Sequence, residues 1–416
     1  MSPAPMQRHI LFLTSTNLAC NPRCLKEVRL ARDRGMKVTV VAFQLHNWTT
    51  SLEARLNAEL TGVSFHYLDT ARRRLLPWLF GTVLERIGRL AGPRLQTSTF
   101  WSAMAMDKRS WRLLRWVRAN RVRPDLVVAH NPPAFYAAAW LAKQDPCALA
   151  IDIEDYHPGE NNPPAKQQGS ALLMRSFLPK AAYASFASPL IKEYSDRLTG
   201  PGVNGIVVNN SFPRGDFQRP AAAVAASAVD DNEAPLRIVW FSQFIDYGRG
   251  LEKILPVLDE YRDRIRLTLI GSARTAFVQQ EIAAREYIRC IDAMPEKELH
   301  RALGGYDIGL ALEDGKADQN RDLCLTNKIW SYLLAGLYIV ASDTAAQRRF
   351  LQEHPGHGVC TSLSADPLRT VMTALVTDAR MIRAAACARF DGAAAAAWEN
   401  ESAVLTGEWE RIFSQP

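Results

Sequence analysis

Apolar residues in this chain come in short bursts, each followed by a stretch in which they recur every three or four positions. His9-Ile-Leu-Phe-Leu-Thr14 is one burst and Lys37-Val-Thr-Val-Val-Ala42 another; between them Leu25, Val28, Leu30 and Ala31 keep helical spacing from Arg23 to Arg34. Strand, helix, strand is a βαβ unit, and continuous apolar strands mark a parallel sheet covered on both faces. Asp125–Ala129 and Ala148–Asp152 continue this first sheet, and Ala184–Ser188 with Gly205–Asn209 complete it.

The pattern then restarts. Arg237–Phe241, Arg266–Ile270, Ile288–Ile291, Tyr306–Glu313 and Tyr338–Ser342 alternate with helical stretches. The alanine-rich run from Pro220 to Pro235 has few large apolar side chains to bury and reads as a linker or exposed loop. The expected organisation is a first domain over 1–213, a linker over 214–236 and a second domain over 237–396. A last helix falls within 397–416, with Trp398, Leu405, Trp409 and Phe413 in helical periodicity. The fold class is α/β, with two doubly wound Rossmann-like domains.

Composition adds little to that. The 416 residues are 48% hydrophobic and 22% charged, enough for two cores. The net charge of +7 suits a polyanionic partner: nucleic acid, an anionic membrane surface or a phosphorylated small molecule. Seven scattered cysteines without a CxxC pair predict reduced thiols in a cytoplasm, and Cys20 with Cys24 lacks the second pair a zinc site needs. No apolar run approaches the roughly 18 residues of a membrane span. The expected location is cytoplasmic, free or peripheral on the inner face of the cell membrane. Between residues 72 and 123 stand twelve arginines and one lysine against Glu85 and Asp107, interleaved with Trp78, Leu79, Phe80, Trp101, Trp111 and Trp116. A basic, aromatic amphipathic segment of this kind suits anionic lipid better than nucleic acid, and a merely solvated face is the plainer alternative.

The stretch Leu323 to Asp343 carries the clearest candidate chemistry. Thr326 stands as N-cap, the helix starts at Asn327, Ile329, Trp330, Leu333 and Leu334 form its apolar face, and Gly336 suits a left-handed C-cap. Asn327, Lys328 and Ser331 share the other side. The N-terminus of such a helix offers N–H donors and a positive dipole end to an anion, and Lys328 adds a full charge; an ordinary capped helix with a solvated lysine is the alternative.

Other polar groups cluster where strands end, which is where doubly wound sheets bind ligands. His130 closes one strand ahead of Asn131-Pro132-Pro133 and could contact a substrate hydroxyl, move a proton or cap the next helix. Asp152 and Glu154 point the same way out of another, with His157 beyond; they suit sugar hydroxyls, a divalent metal or plain helix capping. Phe241-Ser-Gln243 leads to Gly248-Arg249-Gly250 and Glu252, where Arg249 can meet a phosphate. Gly271, after Arg266–Ile270, allows another close approach.

Together these segments resemble a GT-B-fold glycosyltransferase, most similar to the large retaining family 4. The resemblance rests on Asn21-Pro22-Arg23, Ala129-His130-Asn131-Pro132, Phe241-Ser-Gln243 with Gly248-Arg249-Gly250-Leu-Glu252, Leu325-Thr-Asn-Lys-Ile with Leu334-Ala-Gly336, and Val340-Ala-Ser-Asp343. It implies a metal-independent, hexosyltransferase-type enzyme without cofactor that moves a sugar from a nucleotide sugar, such as a UDP- or GDP-sugar, to a glycan or lipid-linked acceptor. It also implies a C-terminal helix crossing back to the first domain. His130, Arg249 and Lys328 take the catalytic positions. Gln243, Gly250, Gly271, Glu313, Thr326, Asn327 and Ser331 fall on the donor side, and Asn21, Arg23, Asp152, Glu154 and His157 on the acceptor side. No metal and no nucleic acid are implied.

Asn21-Pro22-Arg23 stands in place of the family's glycine-rich first loop, and three positions also depart from the family pattern. Gln243 stands for a usual arginine, Ser331 for the glutamate that grips the ribose, and the first glutamate of that pair falls near Leu323. The alternatives are a relative that binds nucleotide or glycan without transfer, and a sugar-nucleotide epimerase.

Overall fold

The computed structural model describes residues 7–47, 49–69, 75–90, 97–220, 234–315 and 317–414, less the side chains of 75–77. Residues 221–233 of the expected linker, and Arg72, Arg73, Arg74 and Arg94 of the arginine-rich segment, lie outside them. Contacts divide the chain into two units: one runs to Val208 and resumes at Ser402, and the other spans Asn209–Glu401.

The first unit holds a seven-stranded parallel sheet: β1 (His9–Thr14), β2 (Lys37–Gln44), β3 (Val63–Asp69), β4 (Leu126–His130), β5 (Ala148–Ile153), β6 (Tyr183–Phe186) and β7 (Gly205–Val207), in the order β3-β2-β1-β4-β5-β6-β7. Every residue of β1 and β4 is buried, as unbroken apolar strands require. The order reverses between β1 and β4, and there His130 stands in register with Thr14 on one side and Asp152 on the other. The Trp398–Phe413 helix enters this unit from Ser402 onward. Trp409 is fully buried, and its indole Nε1 donates to the Tyr183 hydroxyl at 3.0 Å.

The second unit holds six parallel strands: β8 (Leu236–Ile245), β9 (Ile265–Ala273), β10 (Ile288–Ile291), β11 (Ile308–Ala311), β12 (Tyr338–Ser342) and β13 (Gly358–Thr361), in the order β10-β9-β8-β11-β12-β13. Its reversal lies between β8 and β11. The loop after β8 carries Arg249 and the loop after β11 carries Glu313, so both emerge at the crevice where doubly wound sheets bind ligands.

Two edge strands were not legible in the sequence. β3 reads Val-Ser-Phe-His-Tyr-Leu-Asp, and β13 is the brief Gly-Val-Cys-Thr; an edge strand covered on fewer sides loses the continuous apolar signature.

Candidate active site

In the first unit Asn21 starts the helix Pro22–Asp33, its side-chain oxygen accepting from the Cys24 N–H at 3.0 Å while Pro22 supplies a fixed first turn. That helix turns Arg23, Cys24 and Glu27 toward the end of β4. Arg23 Nε donates to Asp152 Oδ1 at 2.7 Å and its Nη1 to the Val208 carbonyl at 2.5 Å; Ser185 Oγ donates to the same Asp152 oxygen at 2.6 Å. His130 lies between two carboxylates, with Nδ1 3.3 Å from Asp152 Oδ2 and Nε2 3.5 Å from Glu27 Oε2. All four charged side chains are 1% exposed.

Burial works against charge on His130, but the Cys24 sulfur and the Glu27 and Asp152 carboxylates outweigh it and hold the ring well above its usual 6.5. Burial likewise opposes charge on Asp152, and Arg23 with His130 overrides it and pulls the carboxyl well down. Arg23 and His130 thus face Asp152 and Glu27 in one buried cluster. Glu27, His130 and Asp152 converge closely enough to suggest a cation site, yet the guanidinium and the imidazolium already supply the positive charge. The expectation that His130 offers a ring nitrogen to a sugar meets a different arrangement here: both nitrogens face carboxylates. Asp152 is likewise engaged by Arg23 and Ser185.

Glu154, one strand step beyond, is pushed up to about 7 by burial and then by Asp155 and Asp152. For His157 burial again opposes protonation, and Glu160, 3.1 Å from Nδ1, raises it. At the ends of β2 and β3 opens a cavity of about 200 Å3 lined by Asn17, Gln44, Glu53, Asn57 and Tyr67. Glu53 accepts from the Tyr67 hydroxyl at 2.7 Å and from the Ala19 N–H at 3.1 Å. These residues were missed in the sequence; the i,i+4 spacing of Glu53 and Asn57 was their one available sign.

In the second unit the Asn327–Ala335 helix ends where expected, with Gly336 left-handed at φ 75° and packed so that a Cβ would meet the Ala386 carbonyl at 2.7 Å. Its start differs. Thr326 has extended N-cap geometry, but its hydroxyl makes no capping bond and is buried without a partner. Lys328 is turned inward, where its Nζ sits 3.1 Å from Glu313 Oε1 and 5.8 Å from the Trp240 ring centroid. Arg249, half exposed, brings Nη1 to 4.0 Å from the same oxygen, and Arg321 Nη1 donates to the Gly248 carbonyl at 3.4 Å. Asn327 Oδ1 accepts from Asn210 Nδ2 at 2.8 Å.

Arg249, Glu313 and Lys328 therefore gather at the crevice, with Thr326 and Asn327 at the adjoining helix start. Gly250 is buried against Leu363, and Gln243 is exposed on the irregular end of β8. Two further expected donor residues make close contacts within the protein. Ser331 is fully buried, its hydroxyl 3.3 Å from His300 Nε2, and His300 is enclosed by Phe212 and Phe217 at ring distances of 4.4 and 4.5 Å. At Gly271 the close approach is strand to strand, since a Cβ would stand 2.2 Å from the Ser242 carbonyl oxygen of the irregular β8.

Residues 20–211 match the family described as Glycosyl transferase 4-like domain. Over those residues the chain carries a glycosyltransferase domain resembling family 4, and as a whole it has the GT-B fold. No curated protein matches it by sequence. Among solved structures, HepE of Anabaena in complex with UDP aligns over 98% of this chain and 100% of that one, with 12% identity and a TM-score of 0.61. Sucrose-phosphate synthase from Thermosynechococcus elongatus aligns over 98% and 100%, with 12% identity and a TM-score of 0.64. A glycosyltransferase from Rickettsia africae covers 99% and 100%, with 10% identity and a TM-score of 0.61. At these identities the structural likeness is one of fold. Among the described residues, no helix of this GT-B enzyme is long and apolar enough to cross a membrane.

Proposed function

We propose that this glycosyltransferase moves a sugar from a nucleotide-sugar donor to a glycan or lipid-linked acceptor, with retention of anomeric configuration. The setting would be surface polysaccharide or glycolipid assembly at the cytoplasmic face of a membrane. The observation that carries this reading is the Arg249, Glu313, Lys328 cluster. Two cations share one buried carboxylate, which leaves a net positive charge, and the neighbouring helix N-terminus adds a partial charge of about +0.5. A nucleoside diphosphate leaving group needs such charge as the anomeric C–O bond breaks, and cations already in place stabilise it with no reorganisation.

In this scheme Arg249 and Lys328 hold the diphosphate, aided by Arg321 on the Gly248 loop, and Thr326 with Asn327 contact donor oxygens. His130 acts as a fixed positive charge and not as a proton shuttle, because its ring is buried between the Glu27 and Asp152 carboxylates, which favour its protonated form. The acceptor side belongs to the first unit. HepE of Anabaena has been solved with UDP and with UDP-glucose, which makes uridine nucleotides the first probes.

A second reading, binding without transfer, is favoured by Ser331. The position where the family carries its ribose-gripping glutamate here holds a buried hydroxyl engaged by His300. Turnover of a panel of UDP-, GDP-, ADP-, CMP- and dTDP-sugars separates the two. Transfer or slow donor hydrolysis that drops in Arg249→Ala supports the transferase. The transferase reading fails if no donor is consumed and Arg249→Ala leaves nucleotide binding unchanged.

A further inference from the structure

The helix Leu75–Leu90 presents an apolar stripe outward; the Phe80 ring, at its edge, packs on Trp111 at 5.2 Å. Leu79, Phe80, Val83, Ile87 and Leu90 are 40% to 83% exposed, and they make up five of the ten large hydrophobic side chains exposed among the described residues. At about 100° per residue these five positions fall within an arc of about 100°, the width of one helix face. The opposite face is fixed. A Cβ at Gly81 would come within 3.1 Å of the Lys108 carbonyl, and one at Gly88 within 2.9 Å of the Ala105 amide, so the helix lies tight against the Thr99–Met106 and Arg109–Asn120 helices. The stripe is therefore held outward by packing.

Its surroundings are cationic. Arg86, exposed, flanks the stripe, and the adjoining Arg109–Asn120 helix carries exposed Arg115 and Arg118. From residue 75 to 120 the two acids, Glu85 and Asp107, are each paired to a nearby arginine, Arg89 and Arg109. Apolar side chains between guanidinium groups match a surface that offers phosphates above hydrocarbon, whereas a protein partner would need acidic groups set around an apolar centre.

We propose that the Leu75–Leu90 helix is an interfacial membrane anchor that lies in the plane of an anionic bilayer, with the stripe among the acyl chains and the arginines at the phosphates. Such a helix binds by buried apolar area together with attraction to anionic headgroups, so each contribution can be removed separately. The inference deepens the membrane-side part of the function proposed above, and its test reads lipid binding, independent of sugar transfer.

The full chain is floated with phosphatidylcholine vesicles, with and without phosphatidylglycerol, alongside Val83→Glu/Ile87→Glu and Arg86→Glu. The expected result is capture by the anionic vesicles only, reduced at least about tenfold by the stripe variant and weakened by Arg86→Glu. Unchanged melting transitions in both variants exclude misfolding as the cause. Equal capture by neutral and anionic vesicles, no capture by either, or a stripe variant that floats like the wild type overturns the proposal. So does a vesicle-free dimer abolished by the stripe variant, since the stripe would then seat a second copy of the chain.

Discussion

Glu313 and Lys328 form an ion pair of 3.1 Å in which both side chains are less than a tenth exposed, and Arg249 approaches the same carboxylate oxygen from solvent. Replacing Glu313 by Gln leaves Lys328 buried without its anion, which costs about 3–5 kcal/mol for a pair of this kind. A bound diphosphate would supply the missing negative charge. The Tm of Glu313→Gln should therefore be low without ligand and rise more steeply on adding UDP than the wild-type Tm does. Equal ligand-induced shifts in the two proteins would show that Glu313 does not hold the place of an anion.

Arg249 is nearly half exposed and has only the 4.0 Å approach to Glu313. Arg249→Ala should leave stability within about 0.5 kcal/mol, as for surface substitutions generally. Losing a charge-assisted bond worth about 1.5–3 kcal/mol should weaken nucleoside diphosphate binding by a factor of about 10 to 150. Calorimetric titration of UDP and GDP into both proteins measures it, and an affinity within twofold of wild type would remove Arg249 from the donor site.

How much of this was legible varies with sequence separation. The strands on either side of each sheet's reversal, β1 with β4 and β8 with β11, announce themselves as apolar runs, and the residues at their ends, His130, Arg249 and Glu313, could be nominated from position alone. What those residues do was not legible. His130 meets Glu27 and Asp152, and Arg23 meets an aspartate 129 positions away, so a local pattern shows a strand-end histidine without the carboxylates that charge it. Ser331 fell on the polar side of its helix by periodicity, yet that side packs on His300 and is buried. Thr326 has the residue type and backbone of an N-cap without the bond, since propensity describes an average and the local geometry here points the hydroxyl elsewhere.

Arg23 serves two acceptors in different directions, Asp152 through Nε and the Val208 carbonyl through Nη1. Arg23→Met strands two buried carboxylates with one cation and should cost about 3–5 kcal/mol of unfolding free energy. Arg23→Lys restores charge but offers one point donor where a fork is needed, so it should recover only part of that stability. Urea unfolding of the three proteins tests the order; a Lys variant as stable as wild type would show that charge alone suffices.

His130 gives the pH dependence. Its folded-state pKa lies above the ordinary 6.5, so the stability that its charge contributes is fully present below pH 6.5 and disappears as pH rises through the raised value. Wild type and His130→Gln should therefore differ most in Tm at mildly acidic pH, with the gap closing toward alkaline pH. A gap that widens as pH rises would mean the ring is held neutral and the carboxylates are not its partners.

Gly271 sits at φ 150° inside β9, and a Cβ there would stand 2.2 Å from the carbonyl oxygen of Ser242, where β8 shifts register against β9. That contact is with backbone, so no side-chain rotation relieves it and one strand must move. Gly271→Ala combines this clash with a backbone conformation disfavoured for L-residues by about 1–3 kcal/mol, and the loss of stability should be at least that large. Because β8 leads into the loop that carries Arg249, the same substitution should weaken UDP binding even where the protein remains folded. Chemical denaturation with calorimetric titration of the folded variant measures both effects. An alanine variant with wild-type stability would show that β8 and β9 separate freely at this point, and the close strand approach would then have no part in fixing the Arg249 loop.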